Sequence, residues 1–495
     1  MASLNKEIFI NVSQGESRVA VVEDGQLQEI YIERSAKKNI VGNVYKGKVT
    51  RVVPAMQAAF VDIGLSKPAF LHVRDAAVTA QSLTHKVPKA LLAIEKLLHQ
   101  GQIIKVQVIK DQIGEKGARV SSEISLASAN LVYLPTREGV ALSHKIQDKS
   151  KRETLLREIQ ALYDAGVGGG FIVRSQAQWL EEYELQRDTQ VLLAEWEKAK
   201  LRVQQTKAPA LIYEDLALPL RALREVVSQD TKRIKIDCLE TFKRAMSFAQ
   251  DFVPTLCDKL EVYEETPPLF DEHRIDEQIN SALAPKINLA LGGNLVIERT
   301  EAMTVIDVNT GSYLASKDAA NMAVNTNIEA ATELARQLRL RNIGGIIIVD
   351  FVDMPTEHQR KKVLKVLRDA LKIDRTETSV SEFSTLGLVE ITRKRSRQTL
   401  YEMMCESCSQ CLGSGYVKTV ETLSYEILRE LLRQSQKFLA PAYTIVVSSE
   451  LGDLFSGDKR VNIEKLEGVI DRPIRIQHAS HNLLHEFEIV WDSLG

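Results

Sequence analysis

The sequence predicts a multidomain chain in which small β-rich modules precede an α/β layer. Three observations predict it. At 495 residues the chain is too long for one hydrophobic core, and about three or four domains are expected. A hairpin pattern over 7–34 is followed, over 42–75 and 101–122, by short strands at the spacing of a small barrel. Residues 275–375 carry two β-branched runs, each closing on an aspartate, with an amphipathic helix between them.

Composition is ordinary for a globular protein, at 44% hydrophobic and 26% charged. Lys+Arg is 64 and Asp+Glu is 66, so any surface for a polyanion must be a local patch. No run approaches the roughly 20 apolar residues of a membrane span. The start, Met1-Ala2-Ser3-Leu4-Asn5-Lys6, lacks the apolar core of a secretory signal. Five cysteines, three of them within 405–411, fit a reducing cytoplasm better than a disulfide scaffold.

Residues 7–34 alternate apolar and polar around Asp24-Gly25, a hairpin signature. Short strands over 42–75 and 101–122 suit a barrel, with a helix-like insert at 79–100 whose apolar run is Lys89–Leu98. Residues 150–207 read as charged helices broken by glycines 166–170 and the strand Phe171-Ile172-Val173. Residues 215–260 read as helix, strand at Ile234-Lys235-Ile236, helix, with a boundary at Pro267-Pro268. The following α/β layer has strands ending at Asp307 and Asp350. The helix between them should bury Ile328, Ala331, Ala335 and Leu338 and stop near Gly344-Gly345. Residues 421–437 predict an amphipathic helix, followed by strands at Thr444–Val447 and Phe487–Trp491. There are no internal repeats and no low-complexity tail.

A carboxylate closing a buried strand should be dry enough to need a partner, and a divalent cation is one. Asp307 and Asp350 on neighbouring strands would hold magnesium with open positions for phosphate and water. Asn309 alternates with Val308, so it shares a face with Asp307. A cap or turn role also fits a D-x-N pattern, and both readings stand on these residues alone. Phe60 and Phe70, with Lys46, Lys48 and Arg51 nearby, suit the aromatic platforms and basic groove of a barrel that binds single-stranded nucleic acid. Lys116, in a Gly-flanked loop, could reach a phosphate. Core packing is the alternative for the two Phe residues. Arg174-Ser175 pairs a guanidinium with a hydroxyl after a glycine run, which suits a terminal phosphate or a plain solvated surface. Arg393, Lys394, Arg395 and Arg397 put four cations in five residues, either a solvated face or contacts for an RNA backbone. Cys405, Cys408 and Cys411 form C-x-x-C-x-x-C. Structural zinc wants four ligands, so two chains could supply two each. A redox C-x-x-C is the rival, without a thioredoxin-like strand–helix context around it.

The segments Thr300–Gly311, Asn325–Ala331, Arg336–Gly345 and Gly387–Arg395 are similar to signature segments of the ribonuclease E/G family. The resemblance runs from about residue 5 to the end of the chain, in one order. It implies a split RNase H-like fold (1–38 and 216–282) holding an inserted OB-fold RNA-binding barrel (39–122) and a 5′-sensor domain (123–215). A DNase I-like catalytic domain (283–403), a zinc link (404–415) and a small α/β C-terminal domain (416–495) would follow.

The implied activity is Mg²⁺-dependent endonucleolytic cleavage of single-stranded RNA to 5′-phosphate and 3′-hydroxyl ends. The resemblance also implies a preference for 5′-monophosphorylated substrates, in rRNA processing (the 16S 5′ end) and mRNA decay. Asp307 and Asp350 match the magnesium ligands and Asn309 the residue supporting the attacked phosphate. Phe60, Phe70 and Lys116 match RNA-binding positions. Arg174 and Ser175 match the 5′-phosphate sensor, with Ser where part of the family has Thr. A further basic position of the sensor falls near His144 and Lys145 and is left unassigned. Cys408 and Cys411 match a zinc site shared between two chains of a homodimer, with Cys405 an additional candidate and pairing into a dimer of dimers left open. A cytoplasmic location is expected. The alternative from another class is an RNA-binding ribosome-assembly factor that does not cut; Asp307, Asn309 and Asp350 speak against it.

Overall fold

Alternating apolar residues at the start of the chain form an antiparallel meander of β1 (Lys6–Ser13), β2 (Glu16–Glu23) and β3 (Gln26–Arg34). Its second turn is the expected Asp24-Gly25, with φ of 50° and 79°, the left-handed pair that a two-residue hairpin needs. The computed structural model describes residues 5–36, 39–76, 93–112, 116–164, 168–179, 184–228, 230–311, 319–395, 397–411, 413–479 and 486–491. The chain divides into two units, Met1–Met403 and Met404–Gly495.

The barrel follows. Strands β4 (Val44–Val53), β5 (Ala58–Asp62), β6 (Ala69–His72), β7 (Ile103–Lys110) and β8 (Arg119–Ser121) run in the order β4-β5-β6-β8-β7, and a β4–β7 pairing closes the sheet on itself. Closure removes the exposed edges that a short antiparallel sheet would otherwise carry. Val49, Val61, Leu71, Val106 and Val120 fill the interior. Of the insert expected at 79–100, the short helix α1 (Ile94–Leu97) is described, and residues 77–92 lie outside the described residues.

Next, β9 (Leu126–Ala127), β10 (Leu131–Leu134), β11 (Gly139–Leu142) and β12 (Gly170–Val173) form a small sheet. The charged helices expected here are α2 (Lys149–Asp164) and α3 (Glu184–Gln205). Their apolar stripes, including Leu155, Ile159, Leu192 and Trp196, pack with Phe171 and Val173. Strand β13 (Ala210–Tyr213) then pairs with β4 of the barrel.

Helix α4 (Leu218–Glu225), β14 (Thr231–Ile236), α5 (Leu239–Phe252) and β15 (Leu260–Val262) come after. Strand β14 pairs in parallel with β1, giving a five-stranded sheet β15-β14-β1-β2-β3. Segments more than 190 residues apart therefore share one core, in which Ile8, Ile10 and Val21 meet Leu223, Ile234 and Phe248.

Two short helices, α6 (Leu269–Glu272) and α7 (Ile275–Leu283), lead into the α/β layer. It contains β16 (Lys286–Asn288), β17 (Asn294–Arg299), β18 (Met303–Asn309), α8 (Ala319–Leu340), β19 (Gly345–Asp350), α9 (Glu357–Leu371), β20 (Thr378–Phe383) and β21 (Leu388–Arg393). The sheet order is β16-β17-β18-β19-β21-β20, with β18 and β19 parallel. Ile306, Val308, Ile347, Val349, Val389 and Ile391 pack against both helices, and Ala331, Ala335 and Leu338 of α8 are buried there as the periodicity predicts. The helix stops earlier than Gly344-Gly345. Asn342 takes the left-handed conformation at φ 49°, and its amide donates to the carbonyls of Arg397 and Gln398. Asn tolerates this conformation because its short polar side chain can bond locally.

Helix α10 (Leu400–Met404) runs across the boundary at Met403 where the first unit ends. The second unit contains α11 (Val420–Lys437), β22 (Tyr443–Val447), α12 (Ser449–Ser456), α13 (Arg460–Ile470), β23 (Ile474–His478) and β24 (Glu488–Trp491). Its sheet order is β23-β22-β24. The sequence reading did not identify β23, whose Ile-Arg-Ile-Gln-His alternation buries little more than Ile474.

Candidate active site

The two aspartates meet. Strands β18 and β19 pair in parallel with Asp307 directly opposite Asp350, about 4.8 Å apart in backbone spacing. The side chains of Ile306, Val308 and Val349 turn inward, so the aspartates share the opposite face of the sheet. Helices α8 and α9 leave that face uncovered at this point, and both carboxylates are exposed. This corrects the expectation of a dry carboxylate: the pair stands at the wet end of an otherwise buried strand pair. Strand β18 also runs on to Asn309, so Asp307 lies two residues inside its end.

Asn309 shares the face of Asp307, and its amide donates to Asp307 Oδ2 at 2.7 Å. The bond fixes one carboxylate oxygen and leaves the other outward. Partial burial of the carboxyl, then the charges of Asp307 and Asp353, push Asp350 above the usual carboxylate range. Among the described residues no Lys or Arg forms an ion pair with either aspartate, and no cluster of three or more His, Cys, Asp or Glu could hold a metal. Two like-charged carboxylates held side by side without a cation fit a hard divalent ion, with water and phosphate completing its shell.

Two supporting residues lie in the signature segment Asn325–Ala331, to which the sequence reading gave no individual roles. Asn327, fully buried on α8, donates to the Val352 carbonyl at 2.8 Å and accepts from its N–H at 3.1 Å. It thereby fixes the backbone just past Asp350. Glu329 accepts the N–H groups of Ala290 and Leu291, holding the loop beside β18. Gly311 crosses that loop so closely that a Cβ would stand 2.0 Å from the Gly292 carbonyl oxygen. Its place in the signature segment Asn325–Ala331, and a polar amide amid the apolar face of an amphipathic helix, are the signals that point to Asn327.

The basic run is mostly structural. Arg393 is buried and bonds Asp374 at 2.6 Å. Arg395 lies across Gly344 and Gly345 and donates to the Gly344 carbonyl. Arg397 stacks on the Tyr31 ring at 3.9 Å and donates to the Ile30 carbonyl. Strand β21 is antiparallel to β19, so Arg393 pairs with Gly345 and stands at the end of the sheet away from Asp350. Lys394 is exposed.

On the barrel, Phe60 and Phe70 are cross-strand partners on β5 and β6, with ring centroids 6.0 Å apart in an edge-on arrangement. They alternate with buried Ala59, Val61, Ala69 and Leu71, so they stand on the outer face and are half-buried rather than core. His72 leans on Phe70 at 6.3 Å. Lys48, Arg51 and Lys116 are exposed, whereas Lys46 spends its ammonium on the carbonyls of Val203 and Thr206, both at 2.7 Å.

Arg174 and Ser175 follow β12 and are half-buried. The Arg174 guanidinium donates to the Ser128 carbonyl at 2.7 Å. Burial lowers its pKa; Glu225 offsets this, and the neighbouring cations Arg224 and Arg375 add to it. An anion placed there would be favoured because it relieves that crowding of positive charge. His144 and Lys145 are exposed.

In the second unit, Cys405 and Cys408 are exposed and Cys411 is half-buried, in a loop ahead of α11 rather than at a strand-to-helix turn. The backbone N–H groups of Gly415 and Gly413, then the Cys408 thiol, lower the Cys411 pKa by bonding its sulfur. Gly413 and Gly415 reach this geometry with φ of 88° and 79°. A thiol so biased toward thiolate, beside a second one, suits half of a tetrahedral zinc site.

Comparison with known proteins agrees with the resemblance. Residues 125–396 match the Ribonuclease E/G family, and residues 407–491 match the family described as RNase E/G, Thioredoxin-like domain. The chain is 40% identical over 489 residues to Ribonuclease G of Escherichia coli (strain K12), covering 98% of this chain and 100% of that protein. Ribonuclease G of Haemophilus influenzae is 40% identical, over 98% of this chain and 99% of the relative. Ribonuclease E of Escherichia coli (strain K12) is 35% identical over 93% of this chain but 44% of its own length.

Proposed function

The chain belongs to the ribonuclease E/G family, and from that premise we propose that Asp307, Asp350 and Asn309 form its Mg²⁺-dependent cleavage site. The protein is an endoribonuclease. The observation that carries the site is the direct opposition of Asp307 and Asp350 on parallel strands, with Asn309 bonded to Asp307.

Both carboxylates would serve as ligands, and the Asn309 amide, bonded to Oδ2 of Asp307, would leave the other oxygen of Asp307 available for the ion. A bound magnesium would polarise the scissile phosphate and lower the pKa of its water. Attack by hydroxide at phosphorus, with departure of the 3′ oxygen, leaves 5′-phosphate and 3′-hydroxyl ends. Asn309 is suited to support the attacked phosphate through hydrogen bonding. The outward aromatics Phe60 and Phe70, with Lys116, supply stacking and charge for single-stranded RNA. Arg174 and Ser175 favour a 5′-monophosphate through charge-assisted hydrogen bonds. Processing of rRNA precursors and mRNA decay are the roles this specificity serves, in the cytoplasm, by a homodimer joined through zinc on Cys408 and Cys411 of each chain, Cys405 being a further candidate.

Asp307→Asn tests the site. Cleavage of a 5′-monophosphorylated single-stranded RNA is expected to fall by more than about a hundredfold, with RNA binding nearly intact. Normal cleavage by that variant would remove the metal assignment.

A further inference from the structure

The tight turn between β9 and β10 is bonded to Arg174 on one side and to a buried carboxylate on the other. Strand β10 pairs antiparallel with β12, with Leu131 opposite Val173, so Arg174 emerges beside residues 128–130. The Arg174 backbone N–H donates to the Asn130 carbonyl at 2.8 Å, and its guanidinium donates to the Ser128 carbonyl at 2.7 Å. Two carbonyls of one turn therefore set both the path of the backbone at Arg174 and the direction of its guanidinium.

The carboxylate is Asp188, near the start of α3 and only 1% exposed. Its Oδ2 accepts the Ser128 hydroxyl and, at 3.3 Å, the Asn130 amide. A hydroxyl has one hydrogen. With that hydrogen given to Asp188, the Ser128 oxygen is free to accept the N–H groups of Leu131 at 3.0 Å and Asn130 at 3.3 Å. Ser128 and Asn130 are buried as well. A carboxylate sealed from water is costly to the fold, and an apolar residue would fill the same space at less cost. What an apolar residue could not do is hold the turn in one arrangement, as a satisfied buried polar network does.

We propose that Asp188 is a positioning residue for recognition of the RNA 5′ end: through Ser128 and Asn130 it holds the turn whose carbonyls aim the Arg174 guanidinium at a 5′-phosphate. This rests on the reading of Arg174 and Ser175 as a 5′-phosphate site. Beyond burial, the charges that act on Arg174 are those of Glu225, Arg224 and Arg375, so Asp188 works through the turn rather than by direct attraction. Geometry matters here because a guanidinium meets phosphate oxygens with N–H donors in a rigid fork, and a small rotation of the fork loses bonds.

The test compares cleavage of one single-stranded oligoribonucleotide in 5′-monophosphate and 5′-hydroxyl forms by the full chain. Asp188→Asn is expected to narrow the monophosphate preference by about threefold or more, through a higher KM for the monophosphate form, with kcat and the 5′-hydroxyl rate held within about twofold. Ser128→Ala removes the hydroxyl that reaches Asp188 and should narrow the preference in the same way. The double variant should lose little more than Asp188→Asn alone, because both changes act through one contact. Thermal unfolding checks that each variant folds; if Asp188→Asn does not, Ser128→Ala carries the test. Equal loss on both RNAs, or an unchanged preference, overturns the proposal. Arg174→Ala separates the two readings. If it abolishes the preference while the Asp188 and Ser128 variants keep it, only the positioning role fails. If it leaves the preference intact, the pocket reading fails and the positioning role falls with it.

Discussion

Asp350 sits beside Asp307, and its carboxyl holds a proton more tightly than an ordinary aspartate. Its folded pKa is raised above the unfolded value of about 3.8. The sign of the linkage follows: ionising Asp350 in the metal-free fold is unfavourable, and the favourable protonated contribution is lost as pH rises through the raised pKa. Asp350→Asn is therefore expected to leave the metal-free protein at least as heat-stable at neutral pH, with any gain vanishing below the unfolded pKa. A lower melting temperature at neutral pH would reveal a stabilising contact of that carboxylate. Protons also compete with the cation, so the magnesium needed for half-maximal cleavage should increase as pH falls through the raised value. A magnesium requirement independent of pH would count against Asp350 as a ligand. At Arg174, the measurement is a ratio of rates. Arg174→Ala should narrow the difference between 5′-monophosphate and 5′-hydroxyl RNAs by about fivefold or more, because a charge-assisted bond contributes about 1.5–3 kcal/mol.

At the scale of single elements, the strand β21 and its continuation show how one charge pattern divides between roles. The run from Arg393 to Arg397 looks uniform in sequence, yet Arg393 is sealed against Asp374 while Lys394 is exposed. Removing either partner of that ion pair strands a buried charge, so Arg393→Ala or Asp374→Asn is expected to cost about 3–5 kcal/mol in chemical denaturation. Lys394→Ala should stay within about 0.5 kcal/mol. A cost below about 1 kcal/mol for both Arg393 and Asp374 variants would show that the pair is not the strut its geometry implies. Strands β5 and β6 are the counter-example, where alternation reads correctly. Phe60 and Phe70 share the outward parity, opposite to Ala59, Val61, Ala69 and Leu71. Residue type alone left them undecided between core and surface, because Phe is usually buried; the register assigns the face.

Across the whole first unit, the sheet that unites β1–β3 with β14 and β15 makes residues 6–34 part of a core completed some 200 residues later. Truncating the N-terminal meander should therefore destabilise the segment 231–262 as well. The cysteine loop is where the proposed zinc-joined dimer is tested. Under a shared site, metal analysis should find about half a zinc ion per chain. Cys411→Ser should lose zinc and shift the protein to monomer in sedimentation. One full ion per chain would favour a closed site within each chain, and a dimer persisting in the zinc-free Cys411→Ser variant would refute the link.

By itself, the sequence determined the local features: the Asp24-Gly25 hairpin, the helix face at Ala331, Ala335 and Leu338, and the two β-branched strands carrying Asp307 and Asp350. These depend on periodicity and turn chemistry, which act over a few residues. Its signature segments also determined the family and the endonuclease activity. Tertiary structure decided which residues meet. It put Asp307 opposite Asp350, turned those carboxylates to water, enlisted Asn327 behind them, and tied Lys46, Arg393 and Arg397 into structural bonds, while Arg395 stays exposed with a bond to the Gly344 carbonyl. The reason is physical: whether a charge is a ligand or a strut depends on partners and burial, and residues far away in the chain supply both.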